Sequence, residues 1–231
     1  MVNQKQTLMK KLILILISLS FAPFIFAQTA NLGKYKLKAN LVSLHKVKIA
    51  GKGAVRITKD STIAKFDEPT FAKLVGTEFK NGTIEVKVLS RLLKTAPEFA
   101  RGFIGVAYRI NDDNSSYESI YLRPTNARSE DQVRRNHSIQ YYAYPDYKFD
   151  RLRKDAPEQY ESYSDMELDK WITLRIEVAQ NQAKLYLDNR EHASIFINTP
   201  KNVIPKSGGI GLWVDIGTEG YFTDLKIVKK D

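Results

Sequence analysis

The feature that most constrains the fold is an alternation of apolar and polar side chains along most of the chain after residue 27. In the segment 82–89, Ile84, Val86 and Val88 occupy every second position. Successive side chains of a β-strand point to opposite faces, so this spacing predicts a half-buried strand. A helix would place apolar residues three and four positions apart, and the sequence after residue 27 has no sustained pattern of that kind.

Turn residues separate the predicted strands. The cluster 111–116, rich in Asn, Asp and Ser, lies between apolar segments at 102–110 and 117–123 and predicts a hairpin. Further strands are predicted in the second half at 171–178, 183–187, 193–197, 208–214 and 221–228. Roughly a dozen short strands of this kind predict an all-β, two-sheet antiparallel sandwich or jelly roll. We expect residues 28–231 to form one such domain.

The first 27 residues have the layout of a secretory signal peptide. Lys10 and Lys11 precede an apolar run at 12–26, and Ala27 offers a small residue for cleavage. The alternative is an uncleaved anchor, but the run is shorter than the roughly 20 residues of a membrane-spanning helix. We therefore expect a mature chain that begins at Gln28, a periplasmic or secreted location, and no stable membrane insertion after cleavage.

The absence of cysteine and the net charge narrow the class of protein further. Without Cys the chain has no disulfide, no thiolate metal site and no cysteine nucleophile. The formal net charge is +10, and the three lysines of the first 27 residues account for three of those charges. A basic exported protein can favour acidic polysaccharides or anionic surfaces. The sequence has no basic block or nucleic-acid-binding motif, so we expect no nucleic-acid partner.

One segment, residues 123–162, departs from the alternation except at 137–142, where a short strand that includes His137 is predicted. The segment predicts a long excursion from the sandwich. Residues 121–163 hold seven of the twelve tyrosines and six arginines, with eight Lys and Arg against seven Asp and Glu. Long loops with a polar and aromatic composition often carry function in compact domains. We therefore expect the excursion to lie over or beside the concave sheet and to hold the functional site.

Three segments of the second half carry a resemblance to a known superfamily: WITLRIEV at 171–178, AKLYLD at 183–188 and the stretch 208–227, which begins GGIGLW. They resemble the concanavalin A-like lectin/glucanase superfamily. Within it, the chain is most similar to exported bacterial domains related to the 3-keto-disaccharide hydrolase-like and laminin-G-like groups. The resemblance covers about residues 36–229 and implies a concanavalin A-like jelly roll that meets an oligo- or polysaccharide. No tryptophan precedes Trp171, so the Gly-Trp opening of the 3-keto-disaccharide hydrolase-like group is absent.

Two groups of acidic residues are candidates for a catalytic or metal-binding role, one just after the excursion and one near residue 215. The laminarinase branch of the superfamily uses alternating acids on one strand, whereas Asp165, Glu167 and Asp169 directly precede a predicted polar turn. We interpret them as a solvated turn. Asp215 and Glu219 are too few for the six to eight oxygens that calcium requires. The sequence predicts no metal and no cofactor, and Trp171 and Trp213 are interpreted as packing residues.

Polar and aromatic residues of the excursion form the candidate carbohydrate-binding site. Arg, Asn and Gln side chains hydrogen-bond to sugar hydroxyls, and Tyr rings offer an apolar face with a polar edge. The candidates are Arg123, Asn126, Asp131, Arg135, His137, Gln140, Tyr142 and Arg153. The alternative for each is a salt bridge or hydrogen bond that only holds the excursion to the sandwich. No catalytic residue is assigned.

Three classes of function stay open. The first is an exported carbohydrate-interacting domain that binds or processes a glycan. The second is an enzyme with its site in the 121–163 region, either a glycoside hydrolase or a polysaccharide lyase. In a lyase, Arg or Gln would neutralise a uronate carboxylate while His or Tyr moves the proton. The third is a non-catalytic protein-interaction module. Nucleotide-binding glycine motifs, a nucleophile elbow and the zinc-protease motif are all absent from the sequence.

Overall fold

The computed structural model describes residues 29–49, 51–203 and 206–230, so the predicted signal peptide lies outside the described residues. The strands are β1 Thr29–Leu32, β2 Tyr35–Asn40, β3 Val42–Ile49, β4 Lys52–Lys59, β5 Phe71–Leu74, β6 Asn81–Leu92, β7 Ile104–Ile110, β8 Tyr117–Leu122, β9 Ile139–Tyr144, β10 Glu161–Ser162, β11 Ile172–Ala179, β12 Gln182–Leu187, β13 Ile195–Asn198, β14 Gly209–Val214 and β15 Thr218–Lys230. The helices are α1 Pro124–Ala127, α2 Gln132–Asn136 and α3 Phe149–Asp155. None of the helices in the described part is long and apolar enough to cross a membrane.

The strands form two antiparallel sheets, which confirms the predicted two-sheet jelly-roll sandwich. One sheet has eight strands in the order β1-β2-β5-β14-β7-β8-β9-β10. The other has seven strands in the order β13-β12-β11-β6-β15-β4-β3. Strands from the two ends of the chain are neighbours in both sheets, since β14 lies between β5 and β7, and β15 between β6 and β4. Both sheets are therefore completed by pairing between distant parts of the sequence.

The alternation in β6 forms the core as predicted. Ile84, Val86 and Val88 are fully buried. They pair with the buried β11 residues Ile176, Leu174 and Ile172 in an antiparallel register. Burying an aliphatic side chain of this size stabilises the fold by about 1.5–3 kcal/mol. The space between the two sheets is therefore the hydrophobic core.

The eight-stranded sheet has an inner face towards the core and an outer face away from it. A Cβ atom at Gly220 of the seven-stranded sheet would lie 2.5 Å from a Val214 methyl group and 3.1 Å from that of Ile104, so these two residues face inwards. Leu122 pairs with Ile104 and shares its side of the sheet. Because neighbouring side chains alternate, Tyr121 faces outwards.

The predicted excursion covers part of this outer face. Tyr121, Tyr142 and Trp213 are almost completely buried, although none of them belongs to the space between the sheets. Helix α3, which belongs to the excursion, packs against β9, and its residue Leu152 is buried. The segment 66–70 also lies on this face, where the Trp213 indole N–H donates to the Glu68 carbonyl at 2.9 Å. The outer face therefore has a second, smaller layer above it.

The three short helices were not predicted, because helices of four, five and seven residues are too short to display a helical period. They also alter one predicted strand. The alternation at 137–142 suggested a strand that includes His137, whereas His137 terminates α2 and the strand begins at Ile139. Gln140 and Tyr142 do share one face of β9, as the alternation predicts.

Candidate functional site

A pocket of about 270 Å³ opens between the excursion and the outer face of the eight-stranded sheet. Its lining combines aromatic rings, arginines and two aspartates. The lining residues are Phe66, Asp67, Phe99, Arg101, Phe103, Tyr121, Arg123, Asn126, Arg134, His137, Phe149, Arg153 and Asp215. We refer to it as the arginine pocket.

Aromatic rings form one wall of the arginine pocket. Phe66 packs edge-to-face with Phe99, Phe103 and Phe149 at centroid distances of 5.4, 6.4 and 6.3 Å. Such arrangements are favoured because the ring edge is positive and the ring face negative. Phe99 lines the pocket and remains 47% exposed. The wall offers an apolar surface of the kind that packs against the C–H face of a ring ligand.

A glycine places Arg101 at the pocket. Gly102 has a φ of +72°, and a Cβ atom there would lie 2.6 Å from a Leu168 methyl group and 2.8 Å from the Ser90 hydroxyl. A residue with a side chain would be both strained and obstructed at this position. The Arg101 carbonyl also accepts a hydrogen bond from the Thr125 N–H at 3.3 Å. The start of β7 is thereby joined to the excursion.

Arg123, at the end of β8, is the centre of a buried polar network. Its Nη1 donates to Glu161 Oε1 at 3.0 Å, and its Nη2 donates to the Tyr121 hydroxyl at 2.8 Å and to Gln140 Oε1 at 3.1 Å. The guanidinium also lies over the Phe149 ring, 5.4 Å from its centroid. Both terminal nitrogens of Arg123 are therefore occupied by the protein itself.

Several basic side chains surround the carboxylate of Glu161. Arg153 donates to both of its carboxylate oxygens, with Nε at 2.9 Å from Oε2, and His137 Nε2 lies 3.5 Å from Oε2. Burial acts to raise the pKa of Glu161, but the hydrogen bond from Arg153 and the charge of Arg123 hold that pKa below its usual value. Burial lowers the pKa of His137, and the nearby Glu161 opposes this only in part.

Arg101 and Arg134 have no comparable partner. Arg134 Nε donates to the Asn126 side-chain oxygen at 3.2 Å, and Arg101 Nη1 donates to the carbonyls of Glu98 and Ala100 at 2.6 and 2.9 Å. These acceptors are all neutral. Within the described residues, no carboxylate lies within 4.0 Å of either guanidinium.

Two aspartates lie on the sheet side of the arginine pocket. The Asp67 N–H donates to Asp215 Oδ2 at 2.9 Å, and Asp67 Oδ2 accepts from the Phe149 N–H at 3.1 Å. Asp215 also forms a buried salt bridge with Lys59. Burial, and then the charge of Asp215, raise the pKa of Asp67 to about 7. Burial likewise raises the pKa of Asp215, although Lys59 opposes it.

Asp67 also has an uncommon backbone. Its φ is +50°, in the left-handed region that residues with side chains seldom occupy. Such conformations cost roughly 1–3 kcal/mol and persist where surrounding contacts enforce them. The contacts to Asp215 and Phe149 provide that enforcement. A buried, strained carboxyl with a pKa near neutrality is a common property of acid–base sites.

The structure brings four of the eight predicted carbohydrate-binding residues to the arginine pocket: Arg123, Asn126, His137 and Arg153. The other four lie elsewhere. Asp131 caps α2 by accepting from the Arg134 N–H, Arg135 donates to the Ser129 carbonyl at 3.1 Å, Gln140 is fully buried beside Arg123, and Tyr142 is buried with its hydroxyl 3.0 Å from that of Tyr117. A role for all eight in sugar binding stays a prediction.

Sequence reasoning missed the remaining lining residues. Phe66 and Asp67 belong to a loop before β5, and Phe99 and Arg101 to a loop before β7, about 20 to 60 residues from the excursion. The one signal for these loops in the sequence is the weak alternation of apolar and polar residues at 60–70 and 93–103, which indicates long connections between strands. Asp215 was considered as a calcium ligand, and the structure instead pairs it with Lys59.

The other sequence interpretations concern the tryptophans and the alternating acids. Trp213 is fully buried against Tyr121 and Tyr142, as expected of a packing residue. Asp165 and Glu167 lie in an exposed connection before β11, where both pair with Arg128. Asp169 pairs with Arg91 in the same exposed region. The described residues contain no group of three or more His, Asp or Glu residues arranged to hold a metal ion.

No protein-family model and no curated protein sequence matches this chain. Solved structures do match. A glycosyl hydrolase-like protein from Parabacteroides distasonis is 13% identical, with a TM-score of 0.51 over 82% of this chain and 94% of that chain. The carbohydrate-binding module CBM66 from Bacillus subtilis is 12% identical, with a TM-score of 0.48 over 87% and 90%, respectively. A β-glucanase from Bacillus licheniformis is 14% identical, with a TM-score of 0.46 over 88% and 92%.

The likeness to the Parabacteroides distasonis protein agrees with the two-sheet jelly roll that the strand order shows. At 13% identity it bears on the fold alone, and one fold supports many functions. The function must therefore be argued from the side chains of the arginine pocket.

Proposed function

We propose that this chain is an exported glycan-binding protein that holds one sugar unit of an oligo- or polysaccharide in the arginine pocket. The observation that carries the proposal is the combination, in one opening, of the Phe66–Phe99–Phe103 wall with polar groups from the excursion opposite it. Sugars have apolar C–H faces and polar rims, so a site that binds them needs both an apolar surface and hydrogen-bonding groups.

The size of the pocket supports one sugar unit at a time. Its 270 Å³ falls at the lower limit of the roughly 300–1,000 Å³ found for small-molecule sites. Phe99 at the mouth is exposed and provides a platform for a neighbouring unit of the same chain. The jelly-roll fold shared with a glycosyl hydrolase-like protein is compatible with this role and adds no evidence about the ligand.

Removing the aromatic wall tests the proposal. We expect Phe99→Ala to weaken glycan binding by roughly 0.5–1.5 kcal/mol, the contribution of an aromatic contact, while the melting temperature stays nearly unchanged because the ring is half exposed. Val133→Ala, at an exposed apolar residue outside the pocket, is the matched control. Isothermal titration calorimetry against oligosaccharides that a glycan array selects would measure both. Equal loss in the two variants, or no glycan on the array, would contradict the proposal.

The location of the protein is part of the proposal. The Lys10-Lys11 pair, the apolar run at 12–26 and Ala27 support export with cleavage before Gln28. N-terminal sequencing of the protein from its native host should begin at or near Gln28. Recovery of Met1 on membrane-embedded protein would contradict export.

A second candidate function, acid–base catalysis on the bound glycan, is favoured by one specific observation. Asp67 is a buried carboxyl with a pKa of about 7, which lets it hold or release a proton at neutral pH. His137, which also lines the pocket, would be neutral because its pKa is lowered by burial. Both residues line the same opening.

Asp67→Asn separates the two functions. A general acid or base contributes roughly 10²–10⁴-fold to a rate, so an enzyme should lose that factor in kcat and still bind its glycan. A binding protein should show no release of reducing ends or unsaturated products before or after the substitution. Glycan release measured alongside calorimetry on the same sample distinguishes the outcomes.

A further inference from the structure

The arginine pocket carries an excess of positive charge. Four arginines line it, and the carboxylates near them are largely committed to other groups: Glu161 bonds with Arg123 and Arg153, and Asp215 pairs with Lys59. Asp67, whose pKa is about 7, carries at most a partial charge near neutral pH. No carboxylate of the described residues compensates the remaining two arginines within 4.0 Å.

Those two, Arg101 and Arg134, keep donors available. Among the described residues, none accepts a hydrogen bond from either terminal nitrogen of Arg134, or from Nε and Nη2 of Arg101. Glu98 accepts from Arg101 through its backbone carbonyl, and its side chain is exposed. Burial, and then the charge of Arg134, lower the pKa of Arg101, and the charge of Glu98 opposes this only in part.

Holding two half-buried guanidinium groups at one pocket is unfavourable for the isolated protein. Like charges destabilise each other, and a donor that has been removed from water costs free energy until an acceptor replaces the water. An anion between the two groups would remove both costs at once. Guanidinium presents two parallel N–H donors that match the two oxygens of a carboxylate or a sulfate.

We infer that the sugar bound in the arginine pocket carries an anionic group, either the carboxylate of a uronic acid or a sulfate ester, and that Arg101 and Arg134 bind this group. The inference rests on the proposed glycan-binding function and specifies the class of glycan. The apolar face of the same sugar unit would pack against the phenylalanine wall, since Phe99, Phe103 and both arginines line one opening. A neutral sugar would leave the two arginines without a counterion.

Matched pairs of glycans test the inference. Pectate and alginate would each be compared with its carboxyl-reduced form, and carrageenan with its desulfated form, by affinity electrophoresis and calorimetry. We expect at least one acidic form to bind, and its neutral counterpart to bind about ten- to a hundredfold more weakly, as for loss of a charged hydrogen bond. The pectate and alginate pairs report on a carboxylate, and the carrageenan pair reports on a sulfate. Added NaCl should weaken the acidic interaction by screening.

Variants locate the binding to these residues. Arg101→Gln and Arg134→Gln should each reduce affinity for the acidic form by about ten- to a hundredfold, whereas Arg151→Gln, an exposed arginine paired with Asp155, should not. Acidic binding that survives both pocket substitutions would overturn the inference, because it would arise from the basic surface. Equal binding of acidic and neutral forms would overturn it and leave the proposed function intact. Failure of every glycan, acidic and neutral, would overturn both.

Discussion

Two pairs of arginines line the same pocket in different electrostatic surroundings. Arg123 and Arg153 share the buried carboxylate of Glu161, and Arg123 also donates to the Tyr121 hydroxyl, the Gln140 side chain and the His137 carbonyl. In the part of the chain that the structure describes, Arg101 and Arg134 have only neutral acceptors and retain free donors. The first pair holds the excursion to the sheet, and the second pair is available to a ligand. What an arginine does here depends on whether a carboxylate is already beside it.

This comparison changes which arginines we expect to bind a ligand and which we expect to hold the excursion in place. Arg123 was selected for sugar binding together with Arg153, and its alternative was a tether for the excursion. Its complete set of protein partners favours the tether. Arg134 is not among the eight residues predicted to bind sugar, although it offers a ligand more donors. The predictions below test this division, starting from the largest expected effect.

The largest effect is expected from Glu161→Gln. The substitution leaves the buried Arg123 without its countercharge, and breaking a buried ion pair in this way costs roughly 3–5 kcal/mol. Glu167→Gln, at an exposed acid paired with Arg128, should cost at most about 1 kcal/mol. Urea unfolding at pH 7 would measure both. A similar small loss in the two variants would mean that the Arg123 network does not hold the excursion.

The same variant has a defined pH dependence. The folded-state pKa of Glu161 lies below its ordinary value of 4.5, so the stability it contributes is present above that pH and is lost as the pH falls through the folded pKa. The difference between parent and Glu161→Gln should therefore shrink in acid.

At Asp67 we expect the free energy of unfolding to depend on pH in the opposite direction. Its folded-state pKa of about 7 exceeds the ordinary 3.8, so the folded protein binds the proton more tightly and loses stability as the pH rises between these values. Asp67→Asn removes this loss, and its stability relative to the parent should rise from pH 5 to pH 8. The gain is on the order of a few kcal/mol, at about 1.4 kcal/mol for each unit of pKa. Asp146→Asn, at an exposed loop residue, provides the control.

If the relative stability of Asp67→Asn is flat over this range, Asp67 is not raised in pKa. The proton that the second candidate function requires would then be missing at neutral pH.

The smallest effect on stability is expected from Arg134→Gln. Only one hydrogen bond, from Nε to Asn126, is lost, so the cost should be about 0.5–1.5 kcal/mol. Thermal melting would compare it with Arg123→Gln, which leaves Glu161 with one arginine fewer and should be destabilised by several kcal/mol. Equal losses would remove the distinction between the tethering arginine and the available one.

The sandwich can be predicted well from the sequence because the alternation that produces its strands is a local pattern. The alternation at Ile84, Val86 and Val88 is a property of neighbouring residues, and burial in β6 follows it directly. The excursion was also predictable, since it is where the alternation stops. Its coverage of the outer face explains why Tyr121 and Tyr142 are buried despite facing away from the core.

The site was predictable only in part because its contacts are not local. His137 lies in the same pocket as Phe66 and Arg101, which come from loops before β5 and before β7. Alternation along the chain carries no information on which loops meet across a sheet. The pKa of Asp67 is equally hidden, since it arises from burial and from Asp215, 148 positions away.

Because distant segments of the chain meet at Asp67, a ligand bound there should be detectable by its effect on stability. The Asp67 N–H donates to Asp215 and the Asp67 carboxylate accepts from the Phe149 N–H, so the loop before β5, the end of β14 and the excursion meet at one residue. A molecule seated there contacts walls that separate when the chain unfolds, and it binds only the folded form. At a concentration a hundred times its Kd, such a molecule adds about 2.7 kcal/mol to the free energy of unfolding. A rise in melting temperature across a library of acidic sugars would therefore reveal the ligand without any assay of activity.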